Sequence, residues 1–245
     1  MPISTLLAGH SHLEALVGAR PIPELELRPL AGAEGVCVLD GPQHRDDAFW
    51  ERLTLEAPGR NIGFAWRGNE HNALYFFRAS PEFDFVSRHV PGLKQDAQIV
   101  PQAAIAARFR NTSFDILEIW LHKFREAGAR KLALIGGPAP KRDGPELRAR
   151  LAAEPFYAQQ AEKLGATPQT VALTDGFVRL KLWRLLQDLG AQTAKKFGAV
   201  YVAAPEQTLD GDGFLKEEFW SRDVTHANRA YGRLMLAKTL PELIP

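Results

Sequence analysis

Cysteine is almost absent from this sequence, since Cys37 is the only one among 245 residues. A single cysteine excludes an internal disulfide and a cysteine-rich zinc site, and it fits a reducing compartment. Long apolar runs are missing too, because none approaches the roughly 18 residues that a membrane helix needs. The first residues lack the basic start and apolar stretch of a signal peptide. These absences predict a soluble, cytoplasmic globular protein with no membrane span.

An excess of charge of one sign is also lacking, because 30 basic residues offset 29 acidic ones and leave a formal net charge of +1. This balance argues against a protein built mainly to bind nucleic acid or an acidic membrane surface. The chain is 45% apolar and long enough to bury a sizeable core. No internal repeat or shift in composition marks a boundary, so we expect one domain over residues 1–245.

Several well-known motifs do not occur. The sequence has no G-x-x-x-x-G-K-[ST] motif and no G-x-G-x-x-G motif after its first predicted strand, so nucleotide binding has no support. The G-x-S-x-G motif is absent as well, and with it the usual nucleophile-elbow signature.

Five short apolar runs are present and predict strands at residues 3–8, 36–39, 61–66, 131–135 and 199–203. They show no clean alternation, which is typical of strands buried on both faces. Helical patterns fall between them, at residues 46–56, 102–128 with a candidate break at 111–113, 145–164, 176–197, and from just after His226 to about residue 240. Strands that alternate with helices imply parallel pairing and right-handed crossovers. The predicted fold is therefore α/β, a three-layer α/β/α sandwich with about five parallel strands.

Residues 70–98 are the exception to this pattern. They contain five aromatic side chains with weak periodicity, namely Tyr75, Phe76, Phe77, Phe83 and Phe85. A long loop of this kind is usually functional or hides a structural element. We expect it to be a lid or insert that borders the functional site.

Ser11 is the first candidate functional residue. The chain leaves its first predicted strand through Gly9 and places Ser11 where the next helix should begin. One interpretation is a helix N-cap, in which the hydroxyl accepts a backbone N–H two or three residues later. The other is a nucleophile at the carboxyl end of the strand, beside free helix-terminal N–H groups.

His226 is the second candidate, because it alone of the seven histidines has an acid, Asp223, three residues before it. In a short turn that carboxylate can reach the imidazole, fix its tautomer and stabilise the imidazolium. The alternative is a helix-capping Asp beside a surface His.

Asn69, directly after the third predicted strand, is the third candidate. Its amide can donate to a developing oxyanion, or it can be a plain turn residue after Gly68.

These three segments, taken together, resemble blocks of the SGNH, or GDSL-like, hydrolase family. The matching segments are Gly9-His10-Ser11 for the family's Gly-Asp-Ser, Arg67-Gly68-Asn69-Glu70 for Gly-x-Asn-Asp, and Asp223 to His226 for the closing Asp-x-x-His. The stretch from Asp212 to Leu215, followed by Asp-x-x-His-x-Asn-x-x-Tyr-Gly, is also similar to the family's C-terminal stretch. The sequence departs from the family pattern at His10 and Glu70, which replace two Asp residues, and at Arg67, which replaces a Gly.

The resemblance implies a flavodoxin-like fold and a serine esterase without cofactor or metal, acting on a small-molecule or carbohydrate ester. Ser11, Asp223 and His226 would be catalytic, and Asn69 would form an oxyanion hole with the Ser11 N–H and, after the second strand, Gly41. His12, Trp66 and Glu70 would contact substrate, with His12 and Trp66 at the rim of the site. An acyltransferase is one alternative. An inactive binding module is another, and the departures at His10 and Glu70 support it. The oligomeric state is left open.

A metal site is a further alternative. His10, His12, Glu70 and His71 lie near the ends of the first and third predicted strands and faintly resemble metallophosphoesterase motifs. That family needs Asp-rich blocks that are missing here, and its Gly-His-x-His block comes last and not first. Among the remaining charges, the pair Lys141-Arg142 is typical of a solvated surface.

Overall fold

The computed structural model describes residues 4–18, 23–42 and 46–244, and residue 3, the first of the first predicted strand, lies outside them. The strands are β1 (Thr5–Gly9), β2 (Glu26–Pro29), β3 (Val36–Asp40), β4 (Asn61–Ala65), β5 (Phe83–Asp84), β6 (Gln98–Ile99), β7 (Lys131–Ile135) and β8 (Val200–Val202). The helices are α1 (His12–Val17), α2 (Asp47–Glu56), α3 (Glu70–Ala73), α4 (Gln102–Phe109), α5 (Asp115–Glu126), α6 (Pro145–Ala153), α7 (Pro155–Lys163), α8 (Gly176–Lys196) and α9 (Arg229–Leu243).

The main sheet has the order β2-β3-β1-β4-β7-β8. All five predicted strands occur in it and pair in parallel, and β2 adds an antiparallel edge that the sequence analysis missed. The parallel strands follow the flavodoxin-like order, in which the direction of strand addition reverses between β1 and β4. The predicted α/β fold is confirmed. Ligands in such folds bind outside the carboxyl ends of the strands at this reversal.

The sheet is buried on both faces, which explains its continuous apolar strands. Leu6 and Leu7, neighbours in β1, belong to hydrophobic clusters on opposite sides of the sheet. One cluster includes residues of α1, α6, α7 and α9, and the other includes residues of α2, α4 and α5. Side chains alternate across a strand, so helices on both faces require apolar residues at every position.

Two predicted helices are interrupted. Residues 110–114, between α4 and α5, form a π-helical turn at the predicted break. The helix predicted at 145–164 is instead two helices, α6 and α7, because Pro155 begins a new first turn after the extended residue Glu154.

Helices α1 and α9 cross at very close range. Gly232 of α9 lies against the main-chain carbonyl of Ala15 in α1, where a Cβ atom would overlap it. Only a glycine allows this approach. Because Ser11 lies directly before α1 and His226 shortly before α9, the crossing determines how these two residues lie relative to each other.

None of the helices in the described part of the chain combines the length and the apolar character needed to cross a bilayer.

Candidate active site

The loops that follow β1 and β4 meet at the reversal point of the sheet. These two strands are adjacent and parallel, with Gly9 opposite Ala65 at their carboxyl ends. Ser11 follows the first strand and Asn69 follows the second, so both emerge from the same edge. The sequence-predicted placement of these residues at one sheet edge agrees with the pairing.

The Ser11 side chain binds a histidine and does not cap a helix. It stands before the first residue of α1 with helical φ and ψ, and its hydroxyl makes no capping bond. Its Oγ lies 2.7 Å from Nε2 of His226. The Ser11 backbone N–H has no acceptor among the residues that the structure describes. The site therefore has a hydroxyl held by an imidazole, beside an unused backbone donor.

Asp223 holds the other side of the His226 ring. Its Oδ2 lies 3.0 Å from Nδ1 of His226, and its Oδ1 accepts the backbone N–H groups of Thr225 and His226 at 2.8 and 2.7 Å. The Ser221 hydroxyl donates to Oδ2 at 2.7 Å. An ionised Asp223 requires the proton of a neutral His226 to be on Nδ1, so Nε2 accepts from Ser11.

The pKa of Asp223 reflects these contacts. Partial burial raises it, but the hydrogen bonds from His226 and Ser221, together with the electrostatic influence of His226, outweigh burial and hold the pKa well below its usual range. The carboxylate is thus ionised at neutral pH, as the orientation of the imidazole requires.

The loop that carries Asp223 and His226 rests on a buried lysine. Lys141 is 2% exposed, and its Nζ donates to the main-chain carbonyls of Asp223 and Ser221. Burial lowers the pKa of Lys141 to about 8. The expectation of a solvated Lys141 was wrong, because the side chain runs under this loop and its Nζ lies 5.5 Å from the Trp220 ring centre.

Two further side chains hold the same loop. Arg150 donates to the Ser221 carbonyl at 2.9 Å, and Glu154 accepts the Val224 N–H at 3.0 Å. Neither was predicted from the sequence, since both come from α6 or its end, some 70 residues earlier in the chain. Only the tertiary fold brings them together.

Asn69 is positioned by an unusual turn. Gly68 has φ of 93°, and a Cβ on Gly137, in the loop after β7, would lie 2.8 Å from the Gly68 carbonyl. Both glycines are thus needed where the two loops touch. The Asn69 Oδ1 accepts from the Asn72 amide at 2.8 Å, while its own Nδ2 has no acceptor among the described residues. This leaves one oriented amide donor in the loop after β4.

Gly41 is engaged elsewhere. Its N–H donates to Oδ1 of Asp40 at 3.0 Å, in a buried contact. The space above its Cα is filled by Leu25, so the residue is packed into the interior. The expected contribution of Gly41 to an oxyanion hole is therefore corrected, because its donor already has an acceptor.

The residues expected to contact substrate are buried. His12, Trp66 and Glu70 are each exposed by 7% or less, so the placement of His12 and Trp66 at the rim was wrong. Trp66 donates to Ser113 at 3.0 Å, and Glu70 accepts the Gly68 N–H at 3.1 Å. These two residues brace the loop after β4 from within.

His12 lies behind the site. Its ring centre is 4.8 Å from that of His226, and its Nε2 has no partner within the described ranges. Burial and the neighbouring His226 lower the pKa of His12 well below its usual value. His12 therefore packs against His226 as a neutral ring.

His10, at the position where the resembled SGNH pattern has an Asp, is packed between tryptophans. Its ring centre lies 5.0 Å from those of both Trp50 and Trp66, and its Nδ1 accepts the Arg67 N–H at 3.1 Å.

Within residues 4–18, 23–42 and 46–244, no group of three or more His, Cys, Asp or Glu side chains is arranged to hold a metal ion. The metal alternative thus finds no support in the positions of these histidines.

Residues 70–98 pack into the protein. Phe76 and Phe85 are fully buried, and the buried Asp84 binds Nζ of Lys181 at 2.9 Å. The bridge between Phe77 and Leu173 joins the segment to its surroundings, and the β5–β6 ladder pairs two parts of the segment with each other. None of its described residues lines the groove beside Ser11. The expectation of a lid is corrected, since these aromatics fill the core.

An open groove of about 490 Å³ begins at Ser11 and His226. It runs between α1 and the Trp220–Arg229 segment, and its wall includes Arg150, Arg222 and Arg229. Its size falls within the usual range for small-molecule sites.

Solved structures share this architecture. An acetyl-xylooligosaccharide esterase variant from Geobacillus stearothermophilus is similar with a TM-score of 0.53 and 12% identity, over 100% of this chain and 97% of that one. A GDSL-like lipase from Bacteroides thetaiotaomicron is similar with a TM-score of 0.51 and 10% identity, over 98% and 87%.

The chain therefore has the SGNH, or GDSL-like, hydrolase fold. A third structure, the periplasmic domain of a lipopolysaccharide acetyltransferase from Salmonella ser. Paratyphi A, aligns with a TM-score of 0.50 and 11% identity, over 100% of this chain and 85% of that one. No protein-family model matches the sequence, and no curated protein matches it. The SGNH-like fold is thus recognisable by shape at identities where sequence comparison finds no relative.

Proposed function

We propose that this protein is a serine esterase that cleaves a carboxylic ester through an acyl-enzyme on Ser11. The observation that carries the proposal is the chain of contacts from Ser11 Oγ to His226 Nε2 at 2.7 Å and from His226 Nδ1 to Asp223 at 3.0 Å. A nucleophile, a base and a group that orients the base form the arrangement that nucleophilic acyl transfer requires.

The first half of the reaction forms the acyl-enzyme. His226 Nε2 takes the Ser11 proton while Oγ attacks the ester carbonyl carbon, and Asp223 stabilises the imidazolium that results. The carbonyl oxygen becomes an oxyanion, which accepts from the Ser11 N–H and the Asn69 amide. As the tetrahedral intermediate collapses, the bond to the alcohol oxygen breaks and His226 gives that oxygen its proton.

The second half releases the acid. Water enters beside His226, loses a proton to Nε2 and attacks the acyl carbon, and the oxyanion again accepts from the Ser11 N–H and Asn69. The bond to Ser11 Oγ then breaks, and His226 returns the proton to the serine. Gly41 is not part of this proposal, because its N–H already donates to Asp40.

The similar structures support ester chemistry. Two of them are an esterase and a lipase by name. The acetyltransferase domain favours a second candidate function, in which an alcohol accepts the acyl group in place of water. Product analysis separates the two, since an added alcohol would be converted into a new ester only by a transferase.

Ester turnover tests the proposal. We expect the wild-type protein to hydrolyse 4-nitrophenyl acetate and Ser11→Ala to lose at least about 10³-fold in kcat. Ser87→Ala is the matched control, because Ser87 lies in the β5–β6 segment outside the groove. Equal turnover by wild type and Ser11→Ala would contradict the proposal, as would a folded wild-type protein without activity on any acyl ester.

A further inference from the structure

The groove beside Ser11 carries two arginines that pair with no carboxylate in the described part of the chain. Arg222 and Arg229 both line it and are exposed. Neither forms an ion pair or a side-chain hydrogen bond among the residues that the structure describes. Several arginines elsewhere are paired with carboxylates, as Arg142 is with Asp210 at 2.9 Å and Arg28 with Asp40 at 2.9 Å. The groove thus presents planar cations that no carboxylate in the described chain neutralises.

The other charges on the groove wall do not offset these two fully. The wall has three arginines, since Arg150 also lines it, against two carboxylates, Glu14 and Asp223. Arg150 also bonds Glu146, which lies off the wall, at 2.9 Å. The wall therefore has an excess of positive charge.

The proposed chemistry determines which part of the substrate lies there. Because His226 protonates the departing oxygen, the alcohol part of the ester must lie on the His226 side of Ser11. His226, Arg222 and Arg229 all belong to this groove, whereas Asn69, the proposed oxyanion donor, does not. The groove is thus the place for the alcohol part.

From these observations we propose that Arg222 and Arg229 form a subsite for an anionic group on the alcohol part of the substrate. The inference rests on the proposed esterase function and deepens it. A guanidinium presents a planar fork of donors that suits a carboxylate or a phosphate. Either group would be recognised by the same chemistry.

The position of Arg229 indicates how far the anion lies from the ester. Its guanidinium lies against Gly18, at the end of α1. A Cβ atom added to this glycine would lie 2.7 Å from Nη1 of Arg229. Ser11 is seven residues earlier, and a helix rises 1.5 Å per residue, so the separation is about 10 Å. The anionic group of the substrate is therefore several bonds away from the ester, and it is not on the carbon next to the ester oxygen.

Matched ester pairs test the subsite. One pair is an O-acetylated methyl glucuronoside as the free carboxylate and as its carboxamide. The other is acetylglycerol with and without a terminal phosphate. We expect kcat/KM for at least one anionic member to exceed that of its neutral partner by roughly tenfold at low salt, since two partly exposed charge pairs contribute about that factor. The preference should shrink as salt screens the charges.

Variants assign the preference to the two arginines. In Arg222→Gln/Arg229→Gln the ratio of anionic to neutral kcat/KM should fall to about one. Arg233→Gln should keep the wild-type ratio, because Arg233 is an exposed arginine of α9 outside the groove. A response to the carboxylate pair alone would identify an acidic sugar, and a response to the phosphate pair alone a phosphorylated alcohol.

The outcomes also separate the subsite from the esterase function. Serine-dependent hydrolysis of all four esters with no anionic preference would overturn the subsite and leave the esterase intact. A preference that survives the double substitution would overturn it as well. If Ser11→Ala hydrolyses the esters as fast as wild type, the esterase proposal fails and the subsite fails with it.

Discussion

The Nζ of Lys141 donates a hydrogen bond to the main-chain carbonyl of Asp223, although 82 residues separate the two in the chain. A second, longer bond reaches the Ser221 carbonyl at 3.4 Å. Lys141 touches neither Ser11 nor the His226 ring in these contacts, so it acts on the site through the loop that carries Asp223. This makes Lys141 a positioning residue.

Removing this lysine should loosen the loop. We expect Lys141→Met to lower kcat by roughly tenfold while KM changes little, because the loss of a charged hydrogen bond costs about 1.5–3 kcal/mol and misplaces the base. Steady-state kinetics on 4-nitrophenyl acetate measure the effect. Lys195→Met, at an exposed position of α8, is the control and should match wild type. Normal kcat with a lower Tm would reduce Lys141 to a purely structural role.

The contact between Gly232 and Ala15 gives a second prediction. Gly→Ala within a helix usually stabilises by about 1 kcal/mol. Here the new Cβ would overlap the Ala15 carbonyl and force α1 and α9 apart. We expect Gly232→Ala to lower the free energy of unfolding by about 1–3 kcal/mol and to reduce turnover as Ser11 and His226 separate. Gly211→Ala, where a Cβ meets open space, is the control. A higher Tm for Gly232→Ala would contradict the packing described here.

Much of the fold could be predicted from the sequence, since strands buried on both faces are continuous apolar runs. Strand β2 was missed because Glu26–Pro29 is a half-exposed edge with charged residues and a proline, which lacks that signature. The split between α6 and α7 was missed although Pro155 marks it. Local sequence patterns were sufficient to predict the core strands but insufficient to predict the edge strand β2.

The site was only partly predictable, for a related reason. The Asp-x-x-His spacing and the position of Ser11 after a strand are local patterns, and their partners lie together in the structure. Burial depends on distant elements, so Lys141 was placed in solvent and His12 at the rim, whereas both are buried. The occupied N–H of Gly41 likewise depends on how the Asp40 side chain folds back.

A third prediction concerns acid stability. His71 is buried, and neither of its ring nitrogens has a partner among the described residues. Burial, assisted by the charge of Arg179, lowers the pKa of His71 to about 3. An unfolded chain has a His pKa near 6.5, so between pH 6.5 and 3 the unfolded state binds more protons. Stability should therefore fall as the pH falls through this window, by up to about 1.4 kcal/mol per pH unit from this residue. His12, whose pKa is also lowered, adds an effect of the same sign.

Replacing His71 should flatten this dependence. We expect the free energy of unfolding of His71→Leu, measured in urea at pH 7 and pH 4.5, to change less between the two conditions than that of wild type. His122→Gln, at an exposed position of α5, should keep the wild-type dependence. The same drop in stability for His71→Leu as for wild type would show that His71 is not held neutral.

A fourth prediction separates two roles of Asn69. An oxyanion donor acts on charge that develops in the transition state, so its loss lowers kcat and spares KM. Asn69→Ala should cost about 10²–10³ in kcat, whereas a turn residue would cost stability alone. Asn111→Ala, at an exposed position of the π-helical turn, is the control. Wild-type turnover by an Asn69→Ala protein that melts several degrees lower would leave Asn69 a turn residue.

Labelling with a fluorophosphonate, followed by mass spectrometry of the peptides, tests the central claim most directly. The probe forms a covalent adduct with a serine that an adjacent base activates. The 2.7 Å contact between Ser11 Oγ and His226 Nε2 predicts a single adduct on Ser11. Labelling should be lost in Ser11→Ala and strongly slowed in His226→Gln, while Ser87→Ala should label as wild type. An adduct on another serine, or equal labelling of wild type and His226→Gln, would contradict the account.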